Sequence, residues 1–115
     1  MKINLTSRLL DEISISKNVS QKFEGEPFWE LYYRGEAKAL EFVLGLILNK
    51  AYNPESAIEE RKLQYVRIDD RARSTCRQEH PAARIAAGWL SGLSIAEHIM
   101  RVWEGAKWLE EGERK

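Results

Sequence analysis

Residues 28–48 read FWELYYRGEAKALEFVLGLIL, and this stretch decides the fold. Phe28, Leu31, Tyr32, Gly35, Ala39, Phe42, Val43, Leu46 and Ile47 recur at intervals of three and four. That repeat places apolar side chains along one side of an α-helix. Glu26-Pro27 opens the segment, because proline is accepted in a first helical turn, and the pattern predicts a helix that ends near Lys50. Its last part, residues 42–48, is apolar nearly all round. A helix of that kind sits at the centre of a core or in a subunit interface. Phe28, Trp29, Tyr32 and Tyr33 lie too close together to point inward from one helix, so some of Trp29 and Tyr33 must face another surface or another subunit.

Towards the N-terminus, Leu5, Leu9, Leu10 and Ile13 keep helical spacing and predict a helix over residues 6–17. The following ISISKNVS alternates, and its serines and β-branched residues favour a helix less, before Gly25 breaks the chain. Towards the C-terminus, Asn53-Pro54 joins a capping residue to proline at a first helical position. The helix that follows carries Ala57, Ile58, Leu63, Tyr65 and Val66. Residues 63–68, LQYVRI, also read as a short strand, although helix through Arg77 is the favoured reading. After His80-Pro81 two readings of residues 81–113 compete. Ser91, Gly92 and Ser94 look like a turn, with Ser94 and Glu97 as a capping box. Yet Ile85, Trp89, Gly92, Ala96, Ile99, Trp103 and Ala106 hold one four-three spacing across that turn, as a single helix would. The local capping chemistry favours the break. The whole predicts an all-α single domain over 1–115, a compact bundle of four to five helices with residues 28–50 at its centre.

The bulk composition agrees. The 115 residues are 43% hydrophobic and 31% charged, enough to close a modest core without staples. Eighteen basic and eighteen acidic side chains give a formal charge of zero, which argues against a dedicated nucleic-acid binder. The single cysteine, Cys76, suits a reducing compartment; with no signal-like start and no long apolar run, a cytoplasmic protein without a membrane segment is expected.

Four features could carry chemistry. WLSGLSIAEHI, residues 89–99, resembles the first helix and turn of helix-turn-helix proteins through Gly92, Leu93, Ser94, Ala96, Glu97 and Ile99. The resemblance implies DNA binding, but the residues after it, MRVWEGAKWLEEG, continue one amphipathic helix where a recognition helix should start. A second feature is the basic run of Arg61, Lys62, Arg67, Arg71, Arg73, Arg77 and Arg84, with Tyr65 nearby to stack on a base. Glu59, Glu60, Asp69 and Asp70 are interleaved with it, so it also reads as a solvated face of paired charges. The acids themselves are the third. Glu26 with Glu30 and Glu55 with Glu59 are four apart, but the later ones are adjacent pairs that point to different sides of a helix, unlike a Mg²⁺-binding set. His80 and His98 have no partner at metal-ligand spacing, and there is no phosphate-cradling glycine loop, so no catalytic residue, metal or cofactor is expected.

The aromatic residues are the fourth. The expected function is a non-enzymatic binding protein: an adaptor, small assembly subunit or inhibitor of a larger complex, of a kind found among phage-encoded regulators. It would act through protein contacts and form a homodimer, with Trp29, Tyr33, Trp89, Ile99 and Trp103 at the interface and Ile99 and Trp103 at its centre. The alternative is a small DNA- or RNA-binding regulator that uses the basic helix face or the turn-like segment.

Overall fold

The computed structural model describes residues 5–50, 53–76 and 81–113, and the side chains of 27, 73, 75, 76 and 104–113 are not among those described. The described residues form four helices and no strand: α1 (Leu5–Lys22), α2 (Pro27–Leu48), α3 (Pro54–Cys76) and α4 (Pro81–Glu113). The chain is an all-α bundle.

The boundaries follow local chemistry. Gly25 takes φ 92°, a left-handed conformation that needs no Cβ penalty, and turns the chain between α1 and α2. Pro27 stands in the first turn of α2. At the other end of α2, Lys50 adopts φ 52° and donates its N–H to the Ile47 carbonyl at 3.1 Å, which stops the helix. The Asn53 carboxamide caps α3, accepting the Ser56 N–H at 3.1 Å as Asn53-Pro54 predicts.

Two open points are decided and one expectation, the turn at Ser91–Ser94, is corrected. α1 runs on to Lys22, so residues 18–22, which the sequence pattern leaves open, are helical, and Ser16 finds a partner in the interior and joins the buried face. Residues 63–68 are helical, as the favoured reading has it: α3 is continuous, and Tyr65 lies seven residues, about two turns, from the buried Ile58 and Ala72. Residues 81–113 are one helix of 33 residues, without a turn at Ser91–Ser94. The glycines there serve packing. A Cβ on Gly88 would collide with the Tyr32 backbone, and one on Gly92 would stand 2.5 Å from the Glu36 carbonyl oxygen and 2.7 Å from the Ala39 Cβ. From α2, Gly35 returns the same approach, a Cβ there falling 2.6 Å from the Ile85 carbonyl oxygen. Small residues at these positions let the two backbones nearly touch.

The same pairs fix direction. Tyr32 lies beside Gly88 and Glu36 beside Gly92, so α2 and α4 run parallel. Ser20 with Glu30 and Ser16 with Glu36 make α1 antiparallel to α2. Tyr65 with Trp89 and Lys62 with Glu97 make α3 antiparallel to α4. α2 and α4 form the central pair, α1 flanks α2 and α3 flanks α4, while α1 and α3 do not meet. The core is built from Leu5, Leu9, Ile13, Leu40, Val43, Ile58, Trp89, Leu93, Ile99 and Met100. Fully buried side chains such as Leu40 and Leu93 each contribute about 2 kcal/mol by leaving water. Of residues 42–48, Leu48 alone is exposed, so the apolar end of α2 is mostly satisfied within its own chain.

Candidate interaction surface

The described members of the basic run do not form one face. Successive residues of an α-helix turn by about 100°, which spreads the basic run around α3 and onto α4. Arg61 is half-buried, its guanidinium 4.4 Å from the Phe42 ring centroid and 5.8 Å from that of Trp89. Lys62 pairs with Glu97. Arg84 lies on α4 with its guanidinium 3.2 Å from the Phe28 ring centroid and its buried Nε without a hydrogen-bond acceptor among the described residues. Arg67 and Arg71 do share an exposed side of α3, beside Leu63, Gln64, Ile68 and Glu60 along a shallow groove of about 490 Å³. The Arg73 side chain and Arg77 lie outside the described residues. Of the described members of the basic run, Arg67 and Arg71 are the two that share an exposed side, with Glu60 in the same groove.

The aromatic residues also divide. Trp89 is 9% and Ile99 7% exposed, so both belong to the chain's own core and neither is presented to a second copy. Trp89 stacks on Tyr65 with centroids 4.6 Å apart and planes within 9°. Trp103 is half-buried against that same core. The expectation of an interface centred on Ile99 is corrected accordingly: from Ile85 to Trp103 the four-three stripe of α4 faces the chain's own core.

At the opposite end of α2 the rings stay near the surface. Phe23, at the α1–α2 turn, stacks on Tyr33 with centroids 5.9 Å apart and planes within 6°, and meets Trp29 at 6.0 Å. Trp29 packs edge-on against Phe28 at 4.7 Å and Tyr32 at 6.0 Å. This cluster partly covers Tyr33 but leaves Phe28 38% and Trp29 42% exposed. The reason is geometric: α1 ends at Lys22, level with the first turn of α2, so no described helix lies over the outer side of Trp29. The chain matches no known family, curated protein or solved structure.

One interior site escapes a reading of the sequence by motif. Glu36 is buried between α1, α2 and α4; Ser16 donates its hydroxyl to one carboxylate oxygen at 2.9 Å and Ser91 to the other at 3.0 Å. Both oxygens are therefore satisfied without a cation among the described residues, and the three helices are tied at one point. The signal was present: Glu36 falls among Tyr32, Gly35, Ala39 and Val43 on the apolar side of α2, where a lone carboxylate demands donors. Glu26, Glu55 and Glu59 lie at the surface instead, and no group of three or more metal-donor side chains converges among the described residues. Nor is any described helix long and apolar enough to cross a membrane.

Proposed function

We propose that the protein is a non-enzymatic binding protein, an adaptor, small assembly subunit or inhibitor of a larger complex, that docks through the aromatic corner at the start of α2. The observation that carries this reading is the pair Phe28 and Trp29, packed edge-to-face and left more than a third exposed within a five-ring cluster. Large rings held in place by neighbouring rings lose little freedom on binding, and such residues concentrate affinity at protein interfaces. The first occupant to consider is a second copy related by a two-fold axis, which places Trp29 and Tyr33 at the interface.

The test combines oligomeric state with one substitution. Light scattering at tens of micromolar is expected to give a dimer for the wild-type chain and a folded monomer for Trp29→Glu. A monomeric wild type removes the homodimer. Equal capture of a cellular partner by wild type and Trp29→Glu removes the corner as a docking surface altogether.

A further inference from the structure

The four helices are unequally embedded. α1 sends Leu5, Leu9 and Ile13 into the core, and α2 and α4 approach to backbone distance. From α3 the described core takes one large side chain, Ile58, with Ala72 buried further along. α3 rests on α4, touches α2 sparsely and does not touch α1. Its other fastenings include Tyr65 on Trp89, the Arg61 guanidinium over Phe42 and Trp89, and the partly exposed Lys62–Glu97 ion pair, all at the edge of the seat. Leu63 and Val66 point away, 57% and 42% exposed, so two of its four large aliphatic side chains add little to docking.

We propose that α3 is a releasable strap, which opens as a unit while α1, α2 and α4 stay folded and bares an apolar seat formed by Phe42 and Trp89. The cost of a sub-global opening is set by the contacts that it breaks. Opening α3 breaks neither the glycine contacts of α2 with α4 nor the Ser16–Glu36–Ser91 tie. The topology allows it too. α3 is the return crossover between two parallel helices, and it spans roughly the length of α2, about 33 Å for 22 residues. Residues 49–80 reach roughly 110 Å when extended, so the crossover can leave its seat without pulling α2 and α4 apart.

Hydrogen exchange read by mass spectrometry on the full chain tests this. In the wild type, α3 amides should exchange on the order of 100-fold faster than those of α2 and the 81–103 part of α4, with a shallower dependence on urea. Tyr65→Ala, which removes the stack on Trp89, should speed α3 a further ~10-fold and leave α2 unchanged. If Tyr65→Ala fails to fold, Lys62→Ala replaces it, with an expected rise of about threefold confined to α3. A single protection level and a single urea slope across α2, α3 and α4 would overturn the strap. So would a substitution that accelerates all helices alike, or one that leaves α3 unmoved.

Discussion

Gly92→Ala puts the packing of α2 on α4 to a quantitative test. In an exposed helix the change gains about 1 kcal/mol, because alanine loses less backbone freedom on folding. Here the new methyl would stand 2.5 Å from the Glu36 carbonyl oxygen, while ordinary contact begins near 3.4 Å, so the helices must separate by roughly 0.9 Å. The obstructing atoms belong to α2 backbone and the Ala39 Cβ, which have no rotamer to escape into. Forcing extra volume into a close-packed interface costs about 1–3 kcal/mol. Backbone on backbone belongs at or above the top of that range, and the separation also stretches the Ser91–Glu36 hydrogen bond, worth another 1 kcal/mol or so. The net expectation is a loss of about 3 kcal/mol, a fall in Tm of roughly 12 °C for a chain of this size. Gly45→Ala is the control: it lies on α2, the facing helix, but has nothing within 4 Å of its added Cβ, and should gain up to about 1 kcal/mol. Urea unfolding followed by circular dichroism at 222 nm measures both. A Gly92→Ala protein as stable as wild type would mean that α2 and α4 are not in backbone contact, and the parallel pairing would be wrong.

Other outcomes follow from the same structure. Glu36→Ala leaves the Ser16 hydroxyl, 1% exposed, without its acceptor and opens a cavity, so thermal melting should show a loss of about 2–4 kcal/mol; a loss under about 0.5 kcal/mol would contradict the tie. Asn53→Ala removes the cap on the Ser56 N–H and should cost about 1 kcal/mol in chemical denaturation, with little change if the cap is idle. Arg67→Glu with Arg71→Glu should leave folding intact, since both are exposed, and circular dichroism identical to wild type is the check.

The helical class and most boundaries were legible because their signals are local and unambiguous: the three-four repeat of residues 28–48, Pro27, and Asn53-Pro54. The continuity of α4 was not. Glycine and serine carry two meanings, and at Ser91, Gly92 and Ser94 turn chemistry and close helix packing ask for the same small residues. Only the repeat from Ile85 to Trp103, which needs the whole helix to read, separates them. The basic run misleads for a related reason: nearness in sequence is not nearness on a helix, and Arg61, Lys62 and Arg84 leave the surface for Phe42, Glu97 and Phe28. The aromatic corner was legible as a surplus of rings in FWELYY. What the sequence could not reveal was Phe23 supporting them across the turn.

The parallel course of α2 and α4 bears on how the chain reaches its fold. Glu36 lies 20 residues from Ser16 but 55 from Ser91. Closing the longer loop costs about 1 kcal/mol more in chain entropy. The α1–α2 hairpin can therefore assemble early and alone, while the central helix pair must wait for a distant segment to arrive. A bundle wired this way folds more slowly than an up-and-down bundle of equal size, in which every neighbour in space is also the next helix in the chain.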